Sequence, residues 1–147
     1  MLDMGSGAGK FCCVGAVTTL AEFHGVEQRA KLVHYAREVA GLLGAERATF
    51  TQGPFDSLSP LDYDAFYLFN PFEENEDRSL AAADRRTEPG DDWVADDIRG
   101  AQAFLAAARV GARVVTYNGM GGPLPASYEL LEREQLRCVL ELWIKRE

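Results

Sequence analysis

The sequence predicts an α/β fold, an open and mostly parallel sheet of about seven strands that closes in an antiparallel hairpin. Three observations predict it. Short apolar runs alternate with stretches of helical periodicity, the rhythm of strand–helix units. A glycine-rich turn from Gly5 to Gly9 joins the first apolar run to the first helical one. The final two segments alternate apolar and polar residues, as strands with one solvated face do.

The elements follow in order. Met1–Met4 is the tail of a first strand, and Lys10–Phe23 has helical length and an apolar face. His24–Glu27 is a short second strand. Gln28–Leu43 is amphipathic, with Ala30, Leu32, Val33, Ala36, Val39, Ala40 and Leu43 at spacings of three and four, and Gly44 as its C-terminal cap. Arg47–Thr51 and the wholly apolar Ala65–Phe69 are the third and fourth strands. The polar, acidic segment Asn70–Asp92, broken by Pro71, Pro89 and Gly90, reads as a mobile loop with one helical turn near Leu80–Ala83. Trp93–Val110 is helical, with Val94, Ile98, Ala101 and Leu105 on one face. Ala112–Tyr117 is a fifth strand, and Gly119–Pro125 holds too many breakers for a helix. Ser127–Glu134 and Arg137–Lys145 form the hairpin.

Composition limits the class of protein. A chain of 147 residues, 47% hydrophobic and 26% charged, is expected to form one globular domain covering residues 1–147. The longest charge-free apolar run, Phe11–Ala21, falls short of the ~20 residues of a membrane span, so no membrane partner is expected. Net charge is −8, and the segment from Phe72 to Asp97 carries ten acids against three bases. A chain this acidic is a poor counter-charge for phosphates, which argues against a nucleic-acid partner. Three cysteines without paired spacing suggest neither a disulfide framework nor a zinc site, and no metal is expected. Buried thiols in the cytoplasm are the expectation.

The chemistry sits at the first turn. Glycines between a strand and a helix let a ligand approach the backbone and aim helix N–H groups at it. Here the pattern is G-x-G-x-G, with Asp3 two residues before Gly5. The spacing of a phosphate-cradling G-x-x-x-x-G-K-[ST] loop is absent, which disfavours an ATPase. Glu27 ends the second strand 18 residues after Gly9, where an acid can accept hydrogen bonds from both ribose hydroxyls of a nucleoside.

Asp3-Met4-Gly5-Ser6-Gly7-Ala8-Gly9, followed by Gly25-Val26-Glu27, resembles the first two motifs of class I S-adenosylmethionine (SAM)-dependent methyltransferases. The resemblance spans most of the chain. Thr51-Gln52-Gly53-Pro54-Phe55 stands at the turn where that family contacts adenine. Phe69-Asn70-Pro71-Phe72 stands where its N-methylating members carry an Asn/Asp-Pro-Pro-aromatic motif. The resemblance implies a three-layer α/β/α Rossmann-like methyltransferase fold, N-terminally short because the first motif begins at residue 2. It implies SAM as cofactor, with Asp3, Gly5, Ser6, Gly7, Gly9 and Lys10 around the methionine end. Glu27 would take the ribose, and Gln52, Gly53, Phe55 and Asn70 would complete the cofactor site. Asn70, Pro71 and Phe72 are the implied catalytic residues. The Asn70 side chain and the Pro71 carbonyl would accept hydrogen bonds from an amine, while Phe72 packs on the acceptor or shields the sulfonium. Lys10 and the surroundings of Glu27 are also similar to the SAM-binding parts of non-SET histone lysine methyltransferases.

The sequence departs from the family pattern at two places. Gln52-Gly53 stands where an acid is common, and the fourth-strand motif has one proline. The expected activity is methyl transfer to an amine-type acceptor on a protein or small molecule. Three alternatives stay open: a SAM-binding module without transfer, a weakly active N-terminally truncated methyltransferase, and an α/β protein that binds another nucleoside. With nothing before the first motif to cover SAM, weak affinity, or cover from a partner subunit as in a homodimer, is expected. Asn70-Pro71 also fits a plain strand-ending turn. Tyr117 and Asn118 are candidate pocket lining, the acidic loop a candidate lid, and His24 and His34 solvated or core-edge residues.

Overall fold

The computed structural model describes residues 1–69, 92–135 and 137–147. Seven strands form one sheet: β1 (Leu2–Met4), β2 (Phe23–Glu27), β3 (Ala48–Gln52), β4 (Ala65–Phe69), β5 (Arg113–Tyr117), β6 (Tyr128–Gln135) and β7 (Val139–Lys145). Their spatial order is β3-β2-β1-β4-β5-β7-β6. The first five are parallel, and β7 runs antiparallel between β5 and β6. The predicted mostly parallel sheet with a reversed terminal hairpin is therefore what forms.

Period-2 alternation sends successive side chains to opposite faces, and the faces are covered separately. Leu2, Met4, Val26, Phe66, Leu68 and Val114 pack against Ala101, Phe104 and Leu105 of helix α3 (Asp92–Ala106). On the other face Phe23 and Phe50 pack with Cys12, Cys13 and Ala16 of helix α1 (Lys10–Thr18) and Val33, Ala36 and Ala40 of helix α2 (Ala30–Leu43). Those two buried cysteines and Cys138 are free thiols. No helix among the described residues is long and apolar enough to cross a membrane.

Several boundaries and connections differ from the sequence reading. Helix α1 ends at Thr18 rather than Phe23. The Thr18 and Thr19 hydroxyls donate back to the Val14 and Gly15 carbonyls, and Thr19 Oγ1 accepts the Ala21 N–H. Thr19 is thus held extended, and Phe23 is released to open β2. Two unpredicted 3₁₀ turns, Phe55–Ser57 and Pro60–Asp62, fill the path from β3 to β4. Helix α3 stops at Ala106, short of the predicted Val110, and Lys145 Nζ donates to the Ala106 and Ala108 carbonyls beyond it at 2.5 and 2.6 Å. Of the predicted face of α2, Val33, Ala36 and Ala40 are buried while Val39 and Leu43 are exposed. The predicted loop Asn70–Asp92 lies outside the described residues up to Asp91, and α3 already begins at Asp92.

Candidate functional site

Strand β1 has β2 on one side and β4 on the other. The chain's path reverses there, and open α/β sheets bind ligands at the carboxyl ends of the strands beside such a reversal. The glycine turn leaves β1 at that end. Its Gly5 and Ser6 N–H groups both donate to the Val26 carbonyl at 3.0 Å, and the Gly9 N–H donates to the Ser6 carbonyl at 2.9 Å.

Left-handed backbone explains the glycines. Gly5, Gly7 and Gly9 have φ of 81°, 53° and 75°. Gly9 also lets α1 press on its neighbours, because a Cβ there would lie 2.6 Å from the Phe50 ring and 2.8 Å from Ala36. A Cβ on Gly7 would meet nothing within 4 Å, so this stretch of backbone is open. Ser6 Oγ is buried and has no hydrogen-bond partner among the described residues. Lys10 opens α1 and is exposed.

Two carboxylates flank the turn. Asp3 is 4% exposed, and its Oδ2 accepts the Cys12 thiol at 3.5 Å. Burial pushes its pKa up to about 7; the Cys12 hydrogen bond opposes this and repulsion from Glu27 adds to it. Glu27 is 6% exposed and anchors the turn from β2. Its Oε2 accepts the Gly7 N–H at 3.1 Å, and its Oε1 accepts the Arg29 N–H and Nε–H at 2.9 Å each. Burial pushes the Glu27 carboxyl upward, but hydrogen bonds from Arg29 and Gly7 and the guanidinium charge outweigh it, so its pKa lies below the ordinary value.

The remaining expected residues divide. The Gly53 N–H donates to the Glu27 carbonyl at 3.0 Å, so the β3 turn meets the tip of β2, while Gln52 stays exposed. Phe55 packs edge-on against Phe104, with ring centroids 5.6 Å apart, on the α3 side. Asn70, Pro71 and Phe72 lie outside the described residues. Phe69, which precedes them, is 56% exposed and stands beside Tyr117 with ring centroids 5.0 Å apart. Asn118 docks β7: its backbone N–H donates to the Val139 carbonyl and its Oδ1 accepts the Val139 N–H. His24 joins Tyr63 Oη and Thr51 Oγ1 at 2.6 and 2.8 Å, and His34 is exposed beside Glu38. Among the described residues no group of three His, Cys, Asp or Glu is close enough to hold a metal ion. The sequence reading missed Arg29, whose signal was an arginine two residues after the strand-ending acid.

A methyltransferase-domain family model matches residues 1–111, from β1 past the end of α3. The chain belongs to that family. It is accordingly a methyltransferase whose cofactor is SAM. Solved structures share its fold. An RNA methyltransferase from Salinibacter ruber, in complex with S-adenosyl-L-homocysteine, superposes with a TM-score of 0.71 at 21% identity, over 99% of this chain and 80% of that one. TrmN from Thermus thermophilus gives 0.69 at 21% identity, over 98% of this chain and 43% of that one. MtNAS in complex with S-adenosylmethionine gives 0.67 at 12% identity, over 99% of this chain and 54% of that one. Among curated proteins none matches the methyltransferase.

Proposed function

We propose that the glycine turn and Glu27 hold SAM, and that the methyltransferase acts on an amine-type acceptor of a protein or small molecule. The observation that carries the cofactor reading is the Gly5–Gly9 turn pinned to the tip of β2, with the open Gly7 backbone beside an ionised Glu27. These residues fit the cofactor. Glu27 can accept from both ribose hydroxyls, the orphaned Ser6 Oγ leaves a polar atom for the methionine end, and the open space beside Gly7 lets a ligand approach the backbone. Asp3, Gly5, Gly9 and Lys10 shape that end, while Gln52, Gly53 and Phe55 are assigned to the adenine side.

When bound, SAM supplies a methyl group on a sulfonium. Displacement at that carbon is in-line, so the protein's task is to position donor and acceptor. We assign Asn70 and Pro71 to accepting hydrogen bonds from the amine and Phe72 to packing against it, on the sequence motif alone. An acidic segment following that motif favours a cationic acceptor by steering. The similarity to the Salinibacter RNA methyltransferase favours a second reading, an RNA acceptor.

Radiolabelled SAM offered with polyamines, basic peptides and total RNA separates the two. Label in an amine or peptide that falls at least tenfold in Asn70→Ala supports the first reading. Label in RNA alone replaces it, and no release of S-adenosylhomocysteine with any acceptor rejects both.

A further inference from the structure

The carboxylate assigned above to the ribose is already occupied. A carboxylate offers about four lone-pair sites on its two oxygens. Glu27 Oε1 takes the Arg29 N–H and Nε–H at 2.9 Å each, and Oε2 takes the Gly7 N–H at 3.1 Å and Arg29 Nη2 at 3.3 Å. Two of the four donors are backbone groups, fixed by the glycine turn and by the start of α2. The other two belong to one guanidinium, and they reach one oxygen each. A vicinal diol presents the same pattern, two donors side by side to two oxygens. The Arg29 side chain is 46% exposed, so its path off the carboxylate does not cross the protein interior.

We propose that Arg29 is an internal competitor for the ribose hydroxyls of SAM. Its guanidinium occupies the Glu27 oxygens that the diol needs and must swing away before a nucleoside seats. The proposal rests on the reading of Glu27 as the ribose acceptor. The apparent affinity is the intrinsic affinity multiplied by the fraction of molecules in which Arg29 has left. The backbone donors stay in place during the exchange, so Glu27 keeps its orientation while its occupant changes. Because an ion pair is replaced by neutral hydrogen bonds, salt that screens the pair favours the nucleoside.

Calorimetric titration of the full chain tests this with S-adenosylhomocysteine, adenosine and 2′,3′-dideoxyadenosine. Arg29→Ala should bind S-adenosylhomocysteine and adenosine about twofold to fivefold more tightly than the parent, the span expected when a partly exposed ion pair is removed. Dideoxyadenosine, lacking the diol, should gain nothing. Arg29→Lys, which keeps the charge without the fork, should fall between. Higher salt should tighten adenosine binding to the parent and leave Arg29→Ala unchanged. Equal or weaker adenosine binding by Arg29→Ala overturns the proposal, as does an equal gain for adenosine and dideoxyadenosine. Glu27→Gln separates the two levels. If it weakens adenosine while Arg29→Ala changes nothing, only the competitor is lost; if it leaves adenosine and dideoxyadenosine as in the parent, the ribose reading fails and takes the competitor with it.

Discussion

Gly7 and Gly9 share one turn and one backbone region, yet the sequence keeps them for different reasons. Gly9 is held by packing, because any side chain would enter the Phe50 ring and the Ala36 methyl. Gly7 is held by its conformation and borders open space. Gly9→Ala should therefore cost about 2–4 kcal/mol, strain and overpacking together, read as a lower urea midpoint at unchanged slope. Gly7→Ala should cost only about 1–2 kcal/mol, the price of a left-handed alanine, while weakening SAM in titration more than Gly9→Ala weakens it per unit of stability lost. The roles proposed for Glu27 and the glycines were readable because strand-end position and backbone conformation follow from local spacing. Arg29 was not, because where a long side chain folds back depends on torsions that spacing does not fix.

Among the elements, the strands were more legible than the helix ends. Strands covered on both faces read as near-continuous apolar runs, and Ala65–Phe69 shows this. Helix ends turned on side-chain hydrogen bonds, as at Thr18 and Thr19. The end of α3 turned on a residue far along the chain. Lys145, buried at the end of β7, puts its ammonium on two carbonyls of the α3 terminus, where a cation also meets the negative end of the helix. Lys145→Met should cost about 2–3 kcal/mol in chemical denaturation, because it leaves one buried and one partly buried carbonyl without their donor. Amide exchange near Ala106 and Ala108 should quicken in the same variant, whereas a loss of stability without local quickening would deny the clip.

Over the whole molecule, alternation along the strands separates one core beneath α3 from another beneath α1 and α2, and the layering was legible for that reason. The order of strands was not, since no local pattern says that β4 rather than β3 joins β1; only the family resemblance carried it. Stability should depend on pH in two opposed ways. Asp3 has a folded pKa near 7 against an ordinary value of 3.8, so the folded state holds its proton longer than the unfolded chain does. Its contribution is full below about pH 4 and is lost as pH rises toward 7. Glu27 is shifted down, so its contribution is present above its ordinary value of 4.5 and is lost on acidification. Thermal melts from pH 4 to 8 should show Asp3→Asn flattening the decline between pH 4 and 7 and raising Tm at pH 7.5. An unchanged slope would mean that Asp3 does not titrate there.

Val26 and Glu27 hold more of the molecule than their size suggests. Their two carbonyls receive amides from the turn after β1 and the turn after β3, and one of their side chains grips the first of those turns again. Two loops far apart along the polymer are thereby yoked to a single dipeptide. Evolution can vary either loop's outward residues freely, but a shift in the pitch of that dipeptide is felt on both sides at once.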